Sequence, residues 1–181
     1  MYHFFWGGPL SNWHESPFTT AFSPIKRLEK PTTFNCVEQY MMANKALCFN
    51  DEESFNAIMN TNSPREQKRL GRLVNGFDAK VWDAISSEVV FYGCLCKFSY
   101  HEDLRDLLLG TYPDLLVEAS PTDRIWGIGY SEKDALNNID DWGINKLGLI
   151  LTDVRNIITG VLDTKIYKMI IEIGKELKND K

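Results

Sequence analysis

The chain has no C-x-x-C pair and no cluster of histidines: its cysteines are Cys36, Cys48, Cys94 and Cys96, and His3, His14 and His101 are scattered. A protein-held zinc ion needs paired, closely spaced ligands, so no metal site and no cofactor are expected. Unpaired thiols suit a reducing compartment. A basic excess is also missing. The net charge of −5 argues against gripping duplex nucleic acid by neutralising many phosphates, although a small nucleotide or one exposed base needs only a local cationic pocket. No apolar run is long enough to span a bilayer. Met1 to Pro9 lacks a basic segment followed by an apolar stretch, so no signal peptide is expected. The expected location is cytoplasmic, without membrane attachment. A nucleophile elbow and a P-loop are absent as well, which sets aside serine hydrolases of that type and P-loop NTPases.

What is present is an ordinary globular composition over 181 residues, 44% hydrophobic and 25% charged, with 12% aromatics including five Trp. Flat rings serve cores, and they also serve as stacking platforms for bases and sugars. The length fits one domain, residues 1–181.

Pro9, Pro17, Pro24 and Pro31 recur too often for helix in the first 35 residues, which read as loop with one short strand over Phe18–Phe22. Helical signals dominate from Asn35. Val37, Tyr40, Met41, Leu47 and Cys48 recur at helical spacing, and Asn35 with Glu38 resembles a capping box. A second helix follows Asp51. Ser63-Pro64-Arg65-Glu66 starts a third, expected to stop at Asn75-Gly76. Asp78 opens a long helix towards Phe98, and a short one runs from Glu102 to Leu109. Leu115–Ala119 reads as a short buried strand and Pro121–Gly129 as irregular loop. Leu147, Ile150, Leu151, Val154 and Ile158 form an amphipathic stripe, and Val161 to Leu177 is expected to be helical. The fold class is therefore mostly α, α+β with minor β, in a single multihelical domain.

Glu38 and Lys45 stand seven residues apart, nearly two turns, so both leave one helix face about 10 Å apart along the axis. In the first helical turn Glu38 is favoured in its ionised form, suited to a cationic transition state or to activating water and less to proton donation. The alternative is that Glu38 only caps the helix and Lys45 is solvated. Glu118 to Gly129 concentrates Glu118, Asp123, Arg124, Trp126, Gly127 and Gly129 in one segment, the kind of loop that carries binding groups. Its alternative is an Asp123–Arg124 turn with a core Trp126. Trp82 reads as core or as a stacking ring. Lys68, Arg69 and Arg72 form a basic cluster that is either solvated or meets a phosphate. Asn145 is most simply a helix cap, at an N-terminus that also offers N–H groups to an anion.

Several motifs in order through nearly the whole chain resemble the NADAR (YbiA-like) family. They are Phe5-Trp-Gly-Gly-Pro-Leu-Ser-Asn-Trp13, Ser16-Pro-Phe18, Phe34 with Glu38-Gln-Tyr-Met-Met-Ala-Asn-Lys-Ala46, and Lys68-Arg-Leu-Gly-Arg72. They continue with Gly76-Phe-Asp78 and Trp82, Lys97-Phe98, Leu116-Val-Glu-Ala-Ser-Pro121, Asp123-Arg-Ile-Trp-Gly-Ile-Gly129, Trp142-Gly143 and Asn145-Lys-Leu-Gly148. The resemblance implies hydrolysis of an N-glycosidic bond. It implies two substrate groups: phosphorylated ribosylamino-pyrimidines of early riboflavin synthesis, and ADP-ribose, including ADP-ribose on guanine in nucleic acid. Through it, Glu38, Lys45 and Asp123 are expected to be catalytic. Asn12, Arg72, Trp82, Glu118, Trp126, Gly127 and Asn145 are expected to bind substrate. Some members carry an acid directly after the Trp-Gly pair, where this chain has Ile128.

On this footing Glu38 places negative charge near the anomeric carbon and Asp123 supports it or orients water. Trp82 and Trp126 sandwich the ring, and Arg72 holds a phosphate. Lys45 either hydrogen-bonds the sugar or attacks an opened sugar aldehyde as a Schiff base. The partner is a small nucleotide, an ADP-ribosylated nucleoside or ADP-ribosylated nucleic acid. Two rival readings are a non-catalytic module that binds ADP-ribose or an NAD derivative, and a structural protein using its amphipathic tail.

Overall fold

The computed structural model describes residues 1–160; the helix expected from Val161 to Leu177 lies outside them. Helix α1, Val37–Cys48, is the hub. It packs against α2 (Glu52–Met59), α3 (Pro64–Gly71) and α4 (Ala79–Tyr100). Every residue from Val37 to Ala46 is buried, so α1 is enclosed on all sides rather than amphipathic. That enclosure takes the polar Glu38, Gln39, Asn44 and Lys45 inside with the apolar residues. Polar groups buried this way need partners or a purpose. Gln39 and Asn44 have backbone partners: Gln39 donates to the carbonyls of Ile58 and Thr61, and Asn44 to that of Tyr40.

Strand β1, Tyr2–Phe5, pairs in parallel with β4, Leu115–Glu118, setting Phe5 opposite Glu118. Helix α7, Lys146–Ile158, covers β4 and packs on α4. Strands β2 (Phe18–Thr20) and β3 (Thr32–Phe34) form a separate antiparallel pair. Helix α5 spans Glu102–Leu109, and α6, Glu132–Ala135, runs into a 3-10 segment over Leu136–Asp141. The main core joins the rings of Phe18, Phe34 and Tyr40 to Val89, Leu95 and Phe98 of α4 and Leu147, Leu151 and Val154 of α7. Each large apolar side chain so buried contributes about 1.5–3 kcal/mol. A smaller cluster gathers Val117, Ile128 and Ala135.

The start signals act as their chemistry requires. The Asp51 carboxylate accepts the Ser54 N–H at 3.0 Å, Ser63 Oγ that of Glu66 at 3.4 Å, and Asp78 that of Lys80 at 2.8 Å. Three boundaries differ from expectation. Helix α3 ends at Gly71, short of Asn75-Gly76, because the Asp51 carboxylate captures the Asn75 N–H at 2.8 Å and draws the chain aside. β1 and β3 form in the stretch expected to hold one strand, since the partner of β1 is more than a hundred positions away in sequence. Glu38 closes no capping box: Gln39 Oε1 accepts the Asn35 N–H at 2.7 Å, and the Asn35 side chain turns to the Asn62 carbonyl. Among the described residues no helix is long and apolar enough to cross a membrane.

Candidate active site

The α1 carboxylate freed from capping faces a cleft of about 390 Å³ between α1, α3, the loop after β1 and the end of β4. Asn12, Trp13, Glu38, Lys45, Lys68, Arg72, Glu118, Asp123 and Trp126 line it, with Met41, Met42 and Ile125 as apolar wall. Seven of the ten expected site residues are thus in the lining: Asn12, Glu38, Lys45, Arg72, Glu118, Asp123 and Trp126.

Each wall is held by its backbone. The Glu38 N–H donates to the Asn12 carbonyl at 2.9 Å, tying the first turn of α1 to the loop after β1. That loop is braced from below by the buried ammonium of Lys97, which donates to the carbonyls of Pro9 at 2.6 Å and Ser11 at 3.0 Å. Burial pushes Lys97 down to about 8. Asp123 Oδ1 accepts the N–H groups of Ile125 at 2.9 Å and Trp126 at 2.8 Å, an Asx turn that aims the Trp126 ring. The Asp123–Arg124 turn that stood as the alternative reading is made by the Asp123 side chain alone. Arg124 leaves the cleft to donate to the Asp141 carbonyl at 2.6 Å.

The electrostatics oppose the buried Glu38 and the half-buried Glu118 to three cations. Burial pushes Glu38 up to about 7, with Asp123 adding to the rise and Lys68, Trp13 and Arg72 working against it. Burial also pushes Glu118 up to about 7, with Asp123 and Glu38 reinforcing and Lys68 opposing. Helix α1's N-terminus was expected to keep Glu38 ionised; at 5% exposure, loss of solvent outweighs the dipole. Glu38 is consequently balanced between its two forms near neutral pH. Burial, then Arg72, lowers the Lys45 pKa. Its ammonium lies 3.9 Å from the Phe77 ring centroid and, among the described residues, has no carboxylate partner. No group of three His, Cys, Asp or Glu among the described residues is placed to hold a metal ion.

Three expected residues stand behind the lining. Trp82 is only 7% exposed and lies beyond Lys45, 5.9 Å from its Nζ. The second indole in the cleft lining is Trp13, so the two indoles that line it are Trp13 and Trp126, with Trp82 outside the lining. Gly127 sits where a Cβ would come within 2.7 Å of the Glu118 carbonyl and 3.1 Å of that of Asp123, which lets the Asp123 turn close on β4. Asn145 occupies the N-cap position of α7 at φ 57° but caps nothing; its amide bonds the backbone of β4 instead. Ile128 fills the smaller apolar cluster and is fully buried outside the cleft.

Sequence reasoning gave Trp13 and Lys97 no role. The signal for Lys97 was its place in the apolar run Val89 to Phe98, where a lone ammonium needs acceptors. That for Trp13 was its position beside Asn12. Lys68 and Arg72 of the basic cluster enter the cleft, whereas Arg69 pairs with Glu66 at 2.7 Å.

Residues 4–159 match the family model described as the NADAR domain. The chain is 39% identical over 140 residues to N-glycosidase R617 of Acanthamoeba polyphaga mimivirus, covering 76% of this chain and 82% of that one. It is 38% identical over 149 residues to Protein irg-1 of Caenorhabditis elegans, covering 80% and 70%. The NMR structure of the E. coli protein YbiA superposes with a TM-score of 0.67 at 27% identity, over 90% of this chain and 89% of that chain.

Proposed function

The chain belongs to the NADAR domain family, and from that premise we propose that it is an N-glycosidase hydrolysing the bond between a phosphorylated ribosyl group and a nitrogenous leaving group. The observation that carries this reading is the cleft itself: Glu38 and Asp123 face Lys45, Lys68 and Arg72, with the indoles of Trp13 and Trp126 beside them.

Cleavage of an N-glycoside builds positive charge at the anomeric carbon. Glu38, partly ionised at neutral pH, stands for that charge and takes a proton from the attacking water. Asp123 orients the water. Trp13 and Trp126 flank the base, each stack worth about 1–3 kcal/mol. Arg72 and Lys68 hold phosphate, which accounts for cations gathered around one cleft in an acidic chain. The substrates that fit are ADP-ribosylated guanine, free or in nucleic acid, and ribosylamino-pyrimidine phosphates. Lys45 donates a hydrogen bond to the sugar. Its lowered pKa and, among the described residues, its lack of a carboxylate partner favour a second reading, in which its neutral amine attacks the aldehyde of an opened sugar.

Incubation with ADP-ribosylated guanosine and with a ribosylamino-pyrimidine phosphate, followed by chromatography, tests the proposal. Release of free sugar and free base is expected from one of them. Tight binding of both without release would make the chain a reader of ADP-ribose instead.

A further inference from the structure

A nitrogen leaving group departs as an amine or a heterocyclic N–H and needs a proton. Glu38 and Asp123 are assigned to the water, Lys68 and Arg72 to phosphate and Lys45 to the sugar, so the glycosidase reading leaves that proton without a source. We propose that Glu118 supplies it, a role that rests on the glycosidase reading of the same cleft.

The backbone of Glu118 is pinned on both sides. Its N–H donates to Asn145 Oδ1 at 2.9 Å, and its carbonyl accepts the Ile128 N–H at 3.0 Å. The side chain is therefore the one free part of the residue, and it enters the cleft. Its Oε2 is buried and has no hydrogen-bond partner among the described residues. A bare carboxylate oxygen away from water is costly, whereas a carboxylic acid in the same place lacks only an acceptor. A departing nitrogen is such an acceptor. The charged groups facing Glu118 are Glu38 from α1, Lys68 from α3 and Asp123 from the loop after β4; two of these three are acids that favour its protonated form. Acids this coupled titrate as a set, one holding the proton while another is ionised.

The step balances. As the C1–N bond breaks, its electron pair moves onto nitrogen and takes the Glu118 proton. Water adds to C1 and gives a proton to the Glu38 carboxylate. The products are a sugar hydroxyl and an N–H base, and the proton on Glu38 returns to Glu118 through solvent.

The test is Glu118→Gln on two leaving groups. One is a neutral base, from whichever substrate above the wild-type protein cleaves. The other is nicotinamide from the pyridinium N-riboside, which departs without needing a proton. The variant is expected to lose about a hundredfold or more in kcat on the neutral base, to lose the alkaline limb of its pH profile, and to stay within about threefold of wild type on the pyridinium. Glu118→Asp, which keeps the acid, retains the alkaline limb. An unchanged limb, or equal losses on both leaving groups, would overturn the assignment while wild-type turnover leaves the glycosidase reading standing. No release by the wild-type protein from any substrate removes both.

Discussion

Asn145 holds the backbone on either side of Val117: its Oδ1 accepts the Glu118 N–H at 2.9 Å, and its Nδ2 donates to the Leu116 carbonyl at 3.0 Å. One primary amide thus completes the edge of β4 that β1 leaves open, as a neighbouring strand would. Gly148 allows it, because a Cβ there would lie 2.2 Å from the Leu116 carbonyl and 2.5 Å from Asn145 Oδ1.

Asn145→Asp keeps the shape but sets an acceptor against the Leu116 carbonyl, since a carboxylate has no donor. We expect a loss of about 1–3 kcal/mol in stability, seen by thermal denaturation, together with a fall in kcat larger than any rise in KM. A lowered Tm with unchanged kcat would confine Asn145 to stability.

Glu38→Gln removes charge at constant size. Turnover is expected to fall by about a hundredfold or more, with product affinity by calorimetry altered far less. Wild-type turnover in the variant would reduce Glu38 to a buried polar residue of α1.

The same substitution carries an opposite signature in stability. Glu38 has its folded pKa raised to about 7 by burial, so the folded state holds its proton more tightly than the unfolded chain. Stability from this group is complete below the ordinary carboxylate range and declines as pH rises towards 7, because ionisation in the dry cleft is penalised. Glu38→Gln is therefore expected to melt higher than wild type at pH 8, by about 2–4 °C per kcal/mol relieved, and to show a smaller difference at pH 5. A constant offset at both pH values would contradict the raised pKa.

If Lys45 forms a Schiff base, borohydride added during turnover traps a sugar adduct on it, detected by peptide mass spectrometry. Lys45→Arg keeps the charge and abolishes the adduct. Absence of label on the wild-type protein during turnover leaves Lys45 as a hydrogen-bond donor.

Trp126 and Trp82 separate ligand contact from packing. Trp126→Ala is expected to raise KM by roughly 5- to 150-fold, the equivalent of about 1–3 kcal/mol of stacking, with Tm changed little. Trp82→Ala empties a buried site and is expected to cost about 3–5 kcal/mol of stability. Equal KM effects in soluble, folded variants would return Trp82 to the ligand.

Much of the fold is legible from local chemistry. Asp51, Ser63 and Asp78 each announce a helix start through a side-chain oxygen within reach of free N–H groups, an interaction that spans only two or three residues. The Glu38–Lys45 spacing likewise needs only helical periodicity to put both on one wall. The family motifs carried the remaining lining residues onto Asn12, Arg72, Glu118, Asp123 and Trp126 without saying which way each side chain turns. Trp82 and Trp13 show that limit. Both are indoles within family motifs, and only the packing of α4 behind Lys45 makes one a wall filler and the other a lining ring.

Periodicity, capping chemistry and ordered motifs in the chain determined a mostly helical NADAR domain and the residue types of its cleft, because these depend on neighbours a few positions apart. Tertiary structure alone decided the parallel pairing of Phe5 with Glu118, the bracing of the Trp13 loop by Lys97, and the raised pKa of Glu38. Each of these is set by solvent exclusion or by contact between distant segments, and neither acts until the chain has closed.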